Sequence, residues 1–136
     1  MSSRKADMTG GYFFDMRDKK MIRYLRVKDG TVSEEYTEDL FTLMKKEYGY
    51  FFDTTDHLFD RYPDIRVFVK DESLFTEKPA INYLHDNELL MTFNGTVFFG
   101  KLGKTKVRSL SKKEIKFLLK NLKRNNDDIY SIDAAA

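Results

Sequence analysis

The residues with the most evident chemical potential are three carboxylates around one histidine: Asp53, Asp56, His57 and Asp60. If this segment is helical, the four-residue spacing places Asp53 beside His57 and Asp56 beside Asp60, so a carboxylate and an imidazole could share a divalent metal ion. The competing interpretation is structural, with Asp53 capping a short helix that runs to Asp60 and with His57 and Asp60 facing water. We favour the structural interpretation and expect no metal site.

Other arrangements for acid–base or nucleophilic catalysis have weaker support. His85 precedes Asp86 in a segment that looks like a turn, and adjacent residues seldom face each other. Ser109 and Ser111 have no evident base partner in the sequence, and Ser111 is placed to cap a helix. Because the chain contains only two His, acid–base chemistry near neutral pH is limited.

Two further kinds of chemistry are excluded by composition and spacing. The chain has no Cys, which excludes disulfides, zinc–thiolate sites and a thiol nucleophile. The run Gly103-Lys104-Thr105 looks like the end of a phosphate-binding loop, but Gly100 stands too close to Gly103 and a predicted strand follows in place of a helix. We therefore predict a non-enzymatic protein that holds no cofactor and no metal ion.

Charge is distributed unevenly, although the 136 residues carry a formal net charge of only +2. Residues 101–124 contain ten basic residues and one acidic residue, whereas residues 29–64 contain ten acidic and three basic residues. Cations with Phe117 among them on the outer face of a helix suit a phosphate backbone and a base, or an acidic protein surface. The alternative is a solvated lysine face with Phe117 covered by the C-terminal tail or by residues 1–20. The predicted binding residues are Lys112, Lys113, Lys116, Phe117, Lys120, Lys123 and Arg124.

The C-terminal helix that carries these residues has the clearest signal in the chain. Ser111 and Glu114 have the spacing of a capping box, in which each side chain binds a backbone amide of the other. The predicted helix runs to about Arg124. Its buried stripe would contain Ile115, Leu118, Leu119 and Leu122, which places Phe117 on the outer face.

The first half of the chain predicts two strands and two helices. Residues 22–27 form a strand that ends in a turn at Asp29-Gly30. Thr37 caps a helix over 38–48, with its apolar residues on one face and Gly49 at its C-terminal end. That face contains Leu40, Leu43, Met44 and Tyr48. The short helix over 53–60 ends before Pro63, and residues 65–69 form the second strand.

The second half predicts a meander of three antiparallel strands. Strands over 88–93 and 96–100 flank Asn94-Gly95, a dipeptide typical of two-residue hairpin turns. Residues 101–104 reverse the chain again into a strand over 105–110, and Pro79 falls in an irregular connection.

These elements predict a single α+β domain over 21–125. We expect a mostly antiparallel sheet of about four to five strands with two to three helices packed on one face. Residues 1–20 would form an N-terminal arm or an added strand, and residues 126–136 a loose C-terminal tail.

The order of short motifs carries a family resemblance over residues 21–124. The stretches are 21–27, 64–69, 80–84, 95–100 and 109–114. They resemble a family of small proteins of unknown function carried by phages and other mobile elements, in which Gly-Thr before apolar residues and Gly precedes a Ser-Leu-Ser/Thr helix start. Tyr83 stands where that family has a second polar residue. The resemblance implies a mobile-element context and supplies no catalytic residues.

Two functions compete after these exclusions. The first is an accessory protein of a phage or mobile element that binds and modulates a host protein through charged surfaces. The alternative is a nucleic-acid-binding module that uses the basic C-terminal helix, although the modest net charge makes it the second choice. A metal-dependent hydrolase comes third, built on Asp53, Asp56, His57 and Asp60. A DNA mimic is excluded because its surface should be mostly acidic.

Location and assembly have less support in the sequence. The apolar runs are far shorter than the roughly 20 residues that span a bilayer, so we expect no membrane partner. The basic N-terminus is not followed by an apolar stretch of the secretory type, and we expect a cytoplasmic protein. A homodimer in which a basic face meets an acidic face is left open.

Overall fold

The computed structural model describes residues 21–49, 52–55 and 58–125. The predicted N-terminal arm over 1–20, the predicted tail over 126–136, and Asp56 and His57 lie outside the described residues. Within the described residues the class is α+β, as predicted, with nine strands and three helices. In chain order these are β1 (Ile22–Lys28), β2 (Thr31–Thr37), α1 (Leu40–Tyr48), β3 (Phe52–Thr55), β4 (Ile65–Lys70), α2 (Ser73–Thr76), β5 (Pro79–His85), β6 (Glu88–Asn94), β7 (Val97–Leu102), β8 (Val107–Arg108), α3 (Lys112–Asn121) and β9 (Leu122–Arg124).

The strands of the described residues form two antiparallel sheets. The larger has the order β2-β1-β7-β4-β3, with β8 also paired to β7, and the smaller has the order β6-β5-β9. The prediction of one sheet with about four to five strands is therefore wrong, because β6 and β7 belong to different sheets. Strand β7 pairs with both β1 and β4 at the centre of the larger sheet.

The two faces of the larger sheet are covered by different elements. On one face Leu40 and Met44 of α1 pack in a cluster with Phe68 and Phe98. On the other face the second sheet and α3 pack against strand residues such as Phe99. The prediction that the helices pack on one face is wrong: apolar residues alternate along the strands and fill both faces, so both need a cover.

The observed hairpins differ from the predicted one. Asp29 and Gly30 have φ values of 52° and 77°, as a type I′ turn requires, and they join β1 directly to β2. Asp86 and Asn87 also have positive φ and join β5 to β6. The predicted hairpin at Asn94-Gly95 is wrong.

Asn94 and Gly95 mark the crossing from one sheet to the other. The amide of Gly95 donates to the Lys78 carbonyl, and the Asn94 side chain donates to the Glu77 carbonyl. Pro79, predicted in an irregular connection, begins β5 opposite Asn94. Pro is tolerated at the first position of a strand because no ladder hydrogen bond is required of its nitrogen.

Helix α1 confirms the predicted apolar stripe but not the predicted cap. Leu40 and Met44 are buried, and Leu43 and Tyr48 pack against the same cluster. Thr37 is the last residue of β2, and the helix is capped by Asp39, whose carboxylate accepts from the amide of Thr42 at 3.2 Å. Gly49 has a φ of 83° at the C-terminal end.

Candidate functional site

Helix α3 begins where the sequence predicts. The Ser111 hydroxyl accepts from the Glu114 amide at 3.1 Å, and the Ser111 amide donates to the Glu114 carboxylate at 2.7 Å. The same carboxylate lies 3.3 Å from the ammonium of Lys101 in β7, and Glu114 is only 4% exposed. The capping box is confirmed, and the ion pair attaches the start of the helix to the larger sheet.

The helix ends earlier than predicted. It stops at Asn121, whose side chain donates to the Phe117 carbonyl at 2.8 Å. Residues after it form β9, where Lys123 and Arg124 pair with β5. The prediction of a helix to about Arg124 is wrong because the free edge of β5 offers these residues a ladder, a long-range pairing that local propensity does not report.

Phe117 points inward, contrary to the prediction. Its ring lies 4.9 Å from that of Tyr62, 5.9 Å from that of Phe59 and 6.4 Å from that of Tyr83, between centroids. Leu119, predicted in the buried stripe, is 47% exposed. The helix is rotated about its axis relative to the prediction, because Glu114 is drawn inward by Lys101 and an aromatic pocket accepts Phe117.

The predicted binding residues therefore separate into groups. Lys112 and Lys116 lie together with Leu119 along a groove. Lys113 and Lys120 are exposed on α3 but do not line that groove.

The last two predicted residues lie elsewhere, on β9. Lys123 is exposed, and Arg124 packs across Gly30 in a second concavity that also contains Glu77 and Asn125. The side chain of Arg124 lies so close that a Cβ at Gly30 would be 2.9 Å from it. The structure thus does not unite the seven residues in one patch.

The groove, with a volume of about 410 Å³, lies between α3 and the β1–β2 hairpin. We call the side that α3 forms the helix wall and the side that the β1–β2 hairpin forms the sheet wall. The helix wall contains Lys112, Ile115, Lys116 and Leu119, and the sheet wall contains Arg23, Glu34 and Tyr36. Tyr36 is 44% exposed, so an aromatic ring and a leucine side chain are both accessible beside the two lysines.

The sheet wall is held by its own polar contacts. Arg23 and Tyr36 are direct cross-strand partners, and the Arg23 Nε donates to the Tyr36 hydroxyl at 3.3 Å. That hydroxyl donates to the Glu34 carboxylate at 3.1 Å, and Arg23 forms an ion pair with Glu34 at 3.5 Å. The guanidinium carbon also lies 5.6 Å from the centre of the Tyr36 ring, within the range of a cation–π contact.

The two walls are joined at one end through residues that precede α3. The amide of Arg23 donates to the Ser109 hydroxyl at 3.0 Å, and the Arg23 carbonyl accepts from the amide of Leu110 at 3.0 Å. Leu110 is buried, so this link is part of the core. The lysines on the helix wall are therefore held at a defined separation from Tyr36.

The face of the hairpin that points to α1 carries a second network. The Glu35 carboxylate accepts from the hydroxyls of Tyr24 and Ser33, each at 2.8 Å, and pairs with Arg26 at 3.0 Å. Burial acts to raise the pKa of Glu35, but the hydrogen bonds from Ser33 and Tyr24 and the charge of Arg26 outweigh it and lower the pKa. Burial, together with the bond to Glu35, raises the pKa of Tyr24.

The residues considered for metal or acid–base chemistry do not converge in the described part of the chain. Asp53 lies on β3 opposite Val69, so the predicted cap and short helix are wrong. Among the described residues no group of three His, Cys, Asp or Glu side chains could hold a metal ion. His85 is the last residue of β5, and Asp86 lies 3.4 Å from it in the turn that follows; both are largely exposed.

Sequence reasoning missed the sheet wall because β2 is polar and lacks an apolar repeat. A usable signal existed at Asp29-Gly30: a two-residue turn sets Lys28 opposite Thr31, and counting outward places Arg23 opposite Tyr36. No helix in the described residues is long and apolar enough to cross a membrane. No protein-family model, curated protein or solved structure matches the chain.

Proposed function

We propose that this protein is a non-enzymatic binding module whose groove takes an acidic, partly apolar segment of a partner protein. One observation carries the proposal. Within the described residues, neither Lys112 nor Lys116 has a carboxylate in ion-pair distance, although both flank the exposed side chains of Leu119 and Tyr36. A partner that supplies carboxylates and an apolar side chain would satisfy both features of the groove.

The charge of the groove favours an anionic ligand. Among the described residues its walls contain three cations and one carboxylate, and that carboxylate, Glu34, is already paired with Arg23. Two further carboxylates on a bound segment would each gain about 1 kcal/mol at 4 Å from a lysine in water, and more as the groove is closed off from solvent. A leucine-sized side chain against Leu119 would add about 1.5–3 kcal/mol if fully buried.

The kind of partner is proposed from the family resemblance alone. If the chain belongs to a phage or mobile element, the partner is a protein of the host cell, and binding modulates that protein. The module then needs no catalytic residues of its own, because its effect comes from covering or repositioning a surface of the host protein.

Nucleic acid is the second candidate, and one arrangement favours it. Tyr36 presents an exposed ring near two lysines, as in sites that stack a base and contact its phosphates. Against it, Glu34 stands beside that ring, Phe117 is turned inward, and Lys123 and Arg124 lie away from the groove.

A panel of four probes distinguishes the two functions. Fluorescence anisotropy is measured on the full chain with a short peptide of alternating Glu and Leu, a Lys–Leu peptide of equal length, single-stranded DNA and duplex DNA. At about 50 mM salt we expect the Glu–Leu peptide to bind most tightly and the Lys–Leu peptide not to bind. Tighter binding of either DNA, with a steep loss of affinity as salt rises, would assign the groove to nucleic acid.

A further inference from the structure

Strand β6 forms a free edge of the smaller sheet and carries exposed apolar side chains. The order β6-β5-β9 leaves one side of β6 without a partner strand among the described residues. Leu89, Leu90 and Met91 are all exposed. A register shift opposite Tyr83 and Leu84 makes Leu90 an extra residue in β6, which leaves two consecutive leucines outside the core.

The other free edges of the described sheets carry charge. Strand β2 contains Glu34 and Glu35, β3 contains Asp53, and β9 contains Lys123 and Arg124. Charged side chains on an edge oppose pairing with another chain. β6 has no charged residue after its first position, Glu88. Judged by charge alone, β6 is thus the least protected of these edges.

A second apolar group lies at the opposite end of the same strand. Helix α2 contacts β6, and the segment after it is held at the strand's end by the bond from Asn94 to the Glu77 carbonyl. Leu74 is 72% exposed and Phe75 is 82% exposed, the largest exposed fractions among the big apolar side chains of the described residues. Two exposed apolar groups thus lie toward the two ends of β6.

We propose that β6 pairs antiparallel with β6 of a second copy of this chain. An antiparallel pair of identical strands is related by a two-fold axis, which sets the Asn94 end of one strand beside the Glu88 end of the other. Leu74 and Phe75 of each copy then approach Leu89 and Leu90 of the other, so both exposed groups are covered at once.

The charges of the strand agree with this pairing. Glu88 of one copy comes near Asn94 of the other, so no two carboxylates face each other across the axis. A strand from an unrelated protein could also pair with the free edge of β6, but it would not carry an apolar group placed to cover Leu74 and Phe75. The self-complementary arrangement of the two groups is what selects a second copy.

Sedimentation equilibrium on the full chain tests the proposal. We expect the 16.1 kDa chain to associate to about twice that mass at tens of micromolar. The double variant F75K/L90K places two new charges in the contact and is expected to raise the dimer dissociation constant at least tenfold. Both positions are exposed, so at a protein concentration below the dimer dissociation constant the thermal unfolding and circular dichroism of the variant should match those of the wild type.

A matched control is L119K, which adds a lysine at another exposed leucine, in the groove. It should leave the dimer intact, and so should the groove variant K112E/K116E. A wild-type chain that stays monomeric up to several hundred micromolar would overturn the proposal, as would a dimer that L119K dissociates and F75K/L90K does not. These results leave the groove proposal unaffected, because peptide binding is measured separately.

Discussion

The two walls of the groove differ in whether their charged side chains have ion-pair partners. On the sheet wall Arg23, Glu34 and Tyr36 bind one another, so the charges on this wall are paired inside the fold. On the helix wall Lys112 and Lys116 have no carboxylate partner among the described residues. Both walls belong to the same groove, yet within the described residues only the helix wall has charges without an ion-pair partner.

This difference between the walls distinguishes the residues that hold the groove in shape from the residues that are available to bind a ligand. An exposed ion pair contributes only about 0–1 kcal/mol to stability, so the sheet wall matters mainly because it fixes the orientation of Tyr36. The lysines contribute little to the fold, because their side chains project from a helix that is held by its other face. Substitutions in the two groups should therefore alter different properties.

The largest expected effect comes from removing the side chain that fixes the helix wall to the core. Leu118 is fully buried, and Leu118→Ala is expected to lower the free energy of unfolding by about 2–5 kcal/mol. The matched change Leu119→Ala, on the exposed side, should cost within about 0.5 kcal/mol. Urea denaturation measures both, and equal losses would show that the two leucines are not on opposite faces.

A smaller loss of stability is expected from removing the cap at the start of the same helix. Ser111→Ala removes the acceptor for the Glu114 amide and should lower the free energy of unfolding by about 0.5–2 kcal/mol. Ser111→Asp keeps an acceptor at this position and should recover most of the loss. If both variants unfolded at the wild-type urea concentration, the cap would not be what holds the helix wall.

Acid should weaken the hairpin that carries the sheet wall. The pKa of Glu35 is lowered in the folded state from its ordinary value of 4.5, so the folded state prefers the charged carboxylate. Its contribution is therefore fully present above about pH 4.5 and is lost as the pH falls through the lower, folded-state pKa.

The test compares stability with pH in two chains. Glu35→Gln should be less stable than the wild type near neutral pH, and the difference should shrink as the pH falls below 4.5. Urea midpoints between pH 3 and pH 7 provide the measurement. A difference that stays constant over this range would mean that the Glu35 carboxylate is not stabilised by its contacts with Tyr24, Ser33 and Arg26.

The smallest effect on stability is expected from the lysines of the helix wall. Lys112→Ala and Lys116→Ala remove charges without ion-pair partners in the described part of the chain, so each should change the free energy of unfolding by no more than about 0.5 kcal/mol. A loss above 1 kcal/mol for either variant, measured by urea denaturation, would show that the fold depends on that charge.

Local signals in the sequence predicted the elements that position the groove. The capping box from Ser111 to Glu114 gave the start of α3, and Asp29-Gly30 gave the turn after β1. Each of these signals depends on residues within a few positions of each other. The apolar stripe of α1 was predicted for the same reason.

Features that depend on distant residues were mispredicted. The rotation of α3 is set by Lys101 on β7 and by Phe59 and Tyr62, which create the pocket for Phe117. A helical wheel of α3 contains neither contact, so it placed Phe117 outside and Leu119 inside. Asn94-Gly95 has the dipeptide expected of a hairpin turn. Because β6 pairs with β5, however, this dipeptide connects the two sheets and does not join two paired strands.

The central claim is that Lys112 and Lys116 of the groove, and not the general basic charge of α3, bind the acidic partner. The most direct test compares the affinity of the Glu–Leu peptide for two charge-matched variants, K112E/K116E in the groove and K113E/K120E outside it, with anisotropy at about 150 mM salt. We predict that the groove variant loses at least tenfold in affinity and that the outer variant stays within about threefold of the wild type, since screening limits the reach of exposed charges to about 8 Å. Equal losses in the two variants would contradict the claim.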